Sequence, residues 1–418
     1  MSTAVQPSQA KKPELTYSEG ITFDRLARVF SQLFLRPSSV LYLPAFVYLF
    51  DRFQVSASSD AYPTPTFHLL VNLLFGKSAP YRAVGYLVAF GFLRNIHRAL
   101  SRYARNHGEW KQDRAQWDKE LVVVTGGATG IGKAAVERLS HKYKAAIAVL
   151  DMAPPTYAPA PPGAPKILYI KTDVSSKEAV ADAAAQIKKT FGRHPTFLLN
   201  CAGIGAGTTI LECEEAITTK IWKVNTLANY VTVQQFLPNM ISRNHGHVFT
   251  VASSASYMSL PQMSQYSTSK AAALAFHEVL HGEIRSRYKA NRVRASVFLP
   301  TKVATALGEG MEDHPDPFFT PTLSPVQCGE WIADAFDRGL SEHIIAPNVM
   351  AMLPWMRVVP PYVRRNIEIV GGTDTQVTDS SIQRAVSKGY GSWQEDEDSI
   401  AALEKARGGV SKVVLPSS

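Results

Sequence analysis

The stretch with the most telling chemistry is Tyr266-Ser267-Thr268-Ser269-Lys270. A tyrosine and a lysine four residues apart share one face of a helix. A free phenol titrates at about pH 10 and is a poor proton carrier near neutrality. An ammonium held beside it favours the phenolate, which would make the pair a general acid/base for interconverting an alcohol and a carbonyl. The same spacing also occurs on ordinary surface helices, so the elements around it must decide.

Upstream, Leu121-Val122-Val123-Val124 has the composition of a buried parallel strand. It runs into Thr125-Gly126-Gly127-Ala128-Thr129-Gly130-Ile131-Gly132, after which Ala134, Ala135 and Leu139 repeat at helical spacing. Glycines at a strand-to-helix turn let the backbone approach a pyrophosphate, which then sits at the positive helix N-terminus. The spacing is G-x-x-x-G-x-G, not the general G-x-G-x-x-G. The next strand, Ala145 to Leu150, ends at Asp151. An acid about 20 residues past the glycines is placed to accept hydrogen bonds from ribose hydroxyls and to repel a 2′-phosphate, so NAD is expected over NADP. Ile167–Ile170 and Phe197–Leu199 read as further strands, followed by Asp173-Val174 and by Asn200-Cys201-Ala202-Gly203. Residues 176–191 read as a helix, and the proline-rich Pro154–Pro165 as an extended loop. This alternation predicts an α/β fold with a doubly wound parallel sheet.

Further pieces follow in order: Lys223-Val224-Asn225, Ser253 thirteen residues before Tyr266, and Pro300 to Thr305. With this ordered set the chain resembles the short-chain dehydrogenase/reductase family over roughly residues 118–345. The resemblance implies a Rossmann-type sheet. It casts Tyr266 as general acid/base and Lys270 as the group that holds the nicotinamide ribose and lowers the tyrosine pKa. Ser253 would hydrogen-bond the substrate oxygen, and Asn225 would organise a proton relay. Ser254 and Ser256 are rivals for the serine role by adjacency. The implied cofactor contacts are Gly126, Ala128, Thr129, Gly130, Ile131, Gly132, Asp151, Asp173, Val174, Asn200, Ala202, Gly203, Tyr266, Lys270, Pro300, Val303 and Thr305. Two positions depart from the family pattern. Cys201 stands where Asn or a small residue is usual, and Thr301 replaces the glycine usual after Pro300.

The 418 residues are 45 % hydrophobic and 19 % charged, which excludes a largely disordered chain. The net charge of +9 points to an anionic partner. No nucleic-acid module is visible and the basic residues flank apolar segments, so a membrane surface is expected and nucleic acid is not. Three widely spaced cysteines give neither a disulfide framework nor a zinc pattern. His277-Glu278-Val279-Leu280-His281 matches H-E-x-x-H, but it continues the Tyr266–Lys270 helix and lacks a third ligand, so no metal is expected.

The expected domain plan begins with a polar, disordered N-terminus over 1–20. An apolar helical membrane-anchoring region follows over 21–117, then an NAD-binding catalytic domain over 118–345. An amphipathic extension occupies 346–372 and a polar, mobile tail 373–418. In the anchoring region Leu26, Val29, Phe30, Leu33 and Phe34 share a helix face. Apolar runs cover Val40–Phe50, Phe67–Phe75 and Val84–Leu93. Arg94, Arg98, Arg102 and Arg105 then line up for anionic headgroups. None of these runs is a clean span of about 20 residues. Leu307–Pro325, with Phe318 and Phe319, reads as a mobile lid over the substrate. Met350–Val370 reads as a segment that touches the membrane near the lid or packs on the core.

The apolar region adds a narrower resemblance, to membrane-associated retinol and 17β-hydroxysteroid dehydrogenases, including lipid-droplet ones. The expectation is an NAD-dependent oxidoreductase interconverting hydroxyl and carbonyl groups on a sterol, steroid, retinoid or long-chain lipid. It would sit at the endoplasmic reticulum or a lipid droplet with its catalytic domain in the cytosol, and could pair as a homodimer. The rivals are an NADPH-dependent lipid ketone reductase and a non-catalytic membrane scaffold on the same fold.

Overall fold

The computed structural model describes residues 22–36 and 79–387. The expected disordered N-terminus, the apolar runs Val40–Phe50 and Phe67–Phe75, and the tail past residue 387 lie outside the described residues. The chain divides into two compact units, one of Ile21–Gln112 and one that begins at Asp113.

In the first unit α1 (Phe23–Phe34) starts at Thr22, whose hydroxyl accepts from the Arg25 amide, and α2 is Ala79–Arg105. The Arg94 guanidinium donates to Ser31 Oγ at 2.6 Å, and Asn95 donates to the Leu35 carbonyl at 3.3 Å. Arg102 donates to the Trp110 carbonyl. Two of the four arginines expected to meet headgroups are therefore committed to contacts within the unit. Leu26, Val29, Phe30 and Leu33 of α1 stay exposed, as do Tyr86, Phe90, Leu93 and Leu100 of α2. Among the described residues no helix is long and apolar enough to cross a membrane.

The second unit is built on strands that alternate with helices. They run β1 (Leu121–Thr125), α3 (Gly130–Tyr143), β2 (Ala146–Asp151), β3 (Leu168–Lys171), α4 (Lys177–Phe191), β4 (Phe197–Asn200), α5 (Glu215–Trp222) and α6 (Ala228–Arg243). Then come β5 (Gly246–Val251), α7 (Ser264–Ser286), β6 (Val293–Pro300), α8 (Pro325–Arg338) and β7 (His343–Ala346). The strands form one seven-stranded parallel sheet in the order β3-β2-β1-β4-β5-β6-β7. Apolar cores lie on both faces, which is why the central strands are apolar without alternation. On one face Gly329 of α8 lies so close to α3 that a Cβ would meet the Ala134 carbonyl carbon at 2.5 Å. The expected doubly wound α/β sheet is the observed one. β5 is the strand whose extent the sequence reading leaves unassigned.

After β7 the chain forms a 3-10 run (Asn348–Arg357), α9 (Pro361–Val370) and α10 (Asp379–Ser387). The expected polar, mobile tail from residue 373 is corrected up to residue 387. Val377 and Ile382 join a small core with Leu307 and Met311, and Ser381 donates to the Gly310 carbonyl at 2.9 Å. Glu312 accepts from Arg384 at 2.6 Å and from Thr378 at 2.7 Å.

At the amino ends of the strands His245 bridges Asp113 at 2.6 Å and Glu120 at 3.1 Å, and Arg292 also pairs with Asp113. The Asp113 and Glu120 hydrogen bonds push the His245 imidazole up to about 9. A group raised in the folded state contributes stability below its unfolded pKa, and that contribution is lost as pH rises through the folded one. His245→Gln is therefore expected to destabilise the fold by on the order of 1–3 kcal/mol near pH 6, with a smaller effect above about pH 9. Thermal unfolding of both proteins at the two pH values checks this; an effect that does not shrink at high pH would count against a charged His245.

Candidate active site

A cavity of ≈ 2260 Å³ opens at the carboxyl ends of the strands. Its floor is where the strand order reverses, between β1 and β4, the place where open α/β sheets bind ligands. One drug-sized ligand fills about 300–1,000 Å³, so this space admits a dinucleotide and a second molecule together.

The glycine turn after β1 forms one wall. Gly126 has φ +64°, and a Cβ there would lie 2.6 Å from the Ala202 Cα. A Cβ on Gly132 would lie 2.1 Å from the Gly126 carbonyl oxygen. The turn is thus backbone packed on backbone, with Thr129, Gly130, Ile131 and Gly132 on the cavity wall. Thr129 makes no side-chain cap at the start of α3, which leaves the first amides of that helix for a ligand. Ala128 lies beneath the wall. Its amide donates to one Asp151 carboxylate oxygen at 2.9 Å, and the Ala153 amide donates to the other at 3.0 Å. Asp151 is thereby fixed at the edge of the groove.

Asp173, Val174, Ala202, Gly203, Pro300, Val303 and Thr305 also line the cavity. Asn200 does not face it. Its Oδ1 accepts from Thr232 at 2.9 Å and its Nδ2 is buried without a partner. The missed residue on this floor is Thr125. Its hydroxyl accepts from the Cys201 and Ala202 amides at 3.1 and 3.2 Å and so ties the β4 loop to β1. These residues fit a nicotinamide dinucleotide: a glycine cradle at a helix N-terminus for the pyrophosphate and a fixed carboxylate for a ribose.

Tyr266 and Lys270 come from α7, Ser253 from the end of β5, and all three line the cavity while being buried. The Ser253 side chain lies close enough to the Tyr266 phenol to favour its ionised form, while Ser256 is turned away and donates to the Lys270 carbonyl at 2.8 Å. Asn225 sits in a widened helical turn (Lys223–Leu227) between α5 and α6. Its carboxamide accepts from the Ile204 amide and donates to the Ile204 carbonyl and to Ser269 Oγ. It thereby ties the β4 loop to α7 one residue from Lys270. A Cβ on Gly203 would lie 3.1 Å from Lys270 Nζ and 3.5 Å from Asn225 Oδ1, so those two polar ends flank the same spot.

Burial pushes the Tyr266 phenol up, and the neighbouring Ser253 side chain only partly opposes it. Lys270 Nζ donates to the Val251 carbonyl at 2.9 Å and lies 5.8 Å from the tyrosine ring centre. Burial brings the lysine itself down to about 8. The two departures from the family pattern are accommodated. Burial pushes the Cys201 thiol up to about 12, and the Thr301 amide joins the sheet edge at the Ala346 carbonyl.

Part of the lining is apolar and rich in methionine: Met258, Met263, Met311, Met350 and Met356, with Leu260, Leu307 and Leu353; of these Leu260, Met263, Leu307 and Met311 pack in one cluster with Tyr266. Of the expected lid, Leu307, Met311, Thr320 and Thr322 reach this wall. Phe318 and Phe319 are not on it; they pack edge to face on each other with ring centres 4.9 Å apart. Methionines scattered over four segments have no periodicity, so no sequence signal marks them as one surface. Among the described residues no cluster of His, Cys, Asp and Glu could hold a metal, and His277 is buried within α7.

Comparison with known proteins gives the site its context. The family described as short chain dehydrogenase matches residues 120–316. Dehydrogenase RED2 of Cochliobolus heterostrophus is 41% identical over 215 residues, 51% of this chain and 79% of that protein. Retinol dehydrogenase 10-B of Danio rerio is 32% identical over 47% of this chain and 58% of its own. Estradiol 17-beta-dehydrogenase 11 of Pongo abelii is 28% identical over 58% of this chain and 79% of its own.

Two outcomes follow from the geometry. Gly132→Ala is expected to weaken dinucleotide binding by about tenfold or more, the scale of strain from overpacking. A fluorescence titration reads this, and an unchanged Kd would remove the turn from the cofactor site. Lys270 is lowered from 10.5 to about 8 on folding, so folding is penalised below pH 8 and the penalty fades as pH rises to 10.5. Lys270→Met is expected to gain up to about 3 kcal/mol near pH 7, less what the Val251 carbonyl loses, and to lose that advantage toward pH 10. Thermal midpoints at both pH values test it; a pH-independent difference would overturn the assignment.

Proposed function

The chain belongs to the short-chain dehydrogenase family and is an oxidoreductase acting on CH–OH donors, and from that premise we propose that it oxidises a lipophilic alcohol with NAD. The observation that carries the reading is the convergence of Ser253, Tyr266 and Lys270 on a cavity whose lining beside the tyrosine is apolar and methionine-rich. Methionine walls adapt to irregular apolar ligands. The names of the relatives, a retinol dehydrogenase and an estradiol dehydrogenase, support the same substrate class.

When bound, the nicotinamide supplies the hydride acceptor. The Ser253 hydroxyl holds the substrate oxygen and Tyr266 takes its proton. Lys270 would hold a ribose hydroxyl of the bound dinucleotide and steady the phenolate. Asn225 acts from behind, through Ser269 and Ile204, and keeps α7 and the β4 loop in register. The methionine wall excludes water, and Asp151 receives the adenosine ribose.

The unit Ile21–Gln112 serves as the attachment to an endoplasmic reticulum or lipid-droplet surface, supported by the exposed apolar faces of α1 and α2. A homodimer is supported by exposed Leu227 and Tyr230 beside Val279 of α7.

A second reading, NADP with reduction of a lipid ketone, has one observation in its favour. Lys171 is the register partner of Asp151 and lines the same groove, where it could offset the carboxylate. Cofactor reduction by the solubilised full chain, with NAD and NADP in parallel and a panel of lipophilic alcohols, separates the two. NADH formation that falls by about a hundredfold or more in Tyr266→Phe is the expected result. Turnover with NADP alone would sink the NAD assignment, and turnover unaffected by the substitution would sink the mechanism.

A further inference from the structure

An amphipathic element in water turns its apolar face to the protein. The segment after β7 keeps this rule on one side and breaks it on the other. In a 3-10 run side chains three apart are eclipsed. Leu353 and Met356 are buried and line the cavity, while Met352 and Trp355 on the other side are 70 % and 69 % exposed. α9 reverses the rule outright. None of its residues is buried, and its half-buried side carries the Arg364–Glu368 ion pair at 2.7 Å. At 3.6 residues per turn Tyr362, Ile369 and Val370 fall together on the opposite side. They are 71 %, 55 % and 86 % exposed. The Arg364–Glu368 pair faces the protein, while Tyr362, Ile369 and Val370 look out with Arg365 beside them.

Scattered exposed apolar side chains are ordinary, whereas a continuous outward face over two consecutive elements marks a contact surface. This one borders the mouth of the cavity. Val326 and Ile367 line the cavity and are also exposed, which places them at its rim, and Ile367 belongs to α9.

The geometry points to a phospholipid surface as the occupant of the Met352–Val370 face, with the cavity mouth opening onto the apolar layer. Trp355 and Tyr362 have the apolar body and polar tip that suit the headgroup boundary. Arg365 lies exposed beside them but is paired with Asp374 at 2.7 Å, so the complementarity to anionic headgroups rests on the chain's net charge of +9. The surface deepens the lipophilic-substrate reading, because an apolar alcohol could pass from the lipid layer to Tyr266 without crossing water.

The test uses the full chain with phosphatidylcholine–phosphatidylserine vesicles whose acyl chains carry bromine, a contact quencher of tryptophan. Wild type is expected to lose a share of its fluorescence that Trp355→Phe does not lose; both proteins keep the same residues 21–112, so any contribution from that unit cancels. Equal quenching overturns the proposal. A sedimentation shift of Trp355→Glu in the absence of vesicles also overturns it, since the face would then belong to self-association. In the double variant Trp355→Glu, Tyr362→Glu, kcat/KM for a long-chain alcohol in vesicles is expected to fall by about tenfold, with a short water-soluble alcohol unaffected. An equal fall for both alcohols would overturn the delivery role. Quenching does not require turnover, so quenching without any dehydrogenase activity would leave the surface standing and remove the proposed reaction.

Discussion

The site depends on two backbone loops touching each other without side chains between them. The loops after β1 and β4 leave the sheet where its order reverses, and they must close to form the cavity floor. Gly126 permits the approach because only a residue without a Cβ fits against the Ala202 Cα. Thr125 then bridges the two loops with its hydroxyl. Once the floor is closed, the start of α3, the Asp151 carboxylate and the Ala202–Gly203 strip all face one groove. A gap of one methyl group would separate the pyrophosphate cradle from the place where the nicotinamide ring must lie.

Dryness is the second constraint, and it changes how the proton carrier works. Burial favours the neutral forms of both Tyr266 and Lys270. The lysine answers by bonding the Val251 carbonyl, and Ser253 partly offsets the burial of the tyrosine. Near neutral pH the phenol is neutral while the lysine, at about 8, still carries most of its charge, in surroundings where each fixed charge and dipole counts for more than in water. Position therefore does more than a preset pKa to prepare this site.

The sheet, the glycine turn and the meeting of Ser253, Tyr266 and Lys270 on one cavity were legible because each has a local signature: a valine-rich run, closely spaced glycines, or a fixed interval in the chain. Asp151 could be read because its distance from the glycines is set by one helix and one strand. What stayed hidden is what forms only on closure of the fold. Asn200 carries a motif position, yet Thr232 of α6 captures its side chain. The methionine wall draws on segments nearly a hundred residues apart. The tail looked mobile because residues 373–387 are polar, but Glu312 supplies an ion-pair and hydroxyl partner that no reading of the tail alone contains. The direction of the Tyr266 shift depends on burial and on where the lysine points, and spacing reports neither.

The bridge from Asp113 through His245 to Glu120 also decides where the catalytic unit begins. The anchoring region is expected to end at residue 117, yet the compact unit starts at Asp113. The Asp113 amide donates to the Gly339 carbonyl, and its carboxylate neutralises Arg292 as well as His245. A fragment cut by hydropathy would leave two cations facing a single remaining carboxylate at the amino ends of the strands. The autonomy of the dehydrogenase unit is thus set by an ion cluster at the end of the sheet away from the chemistry. A graft of this unit onto another anchor has to carry those few polar residues with it.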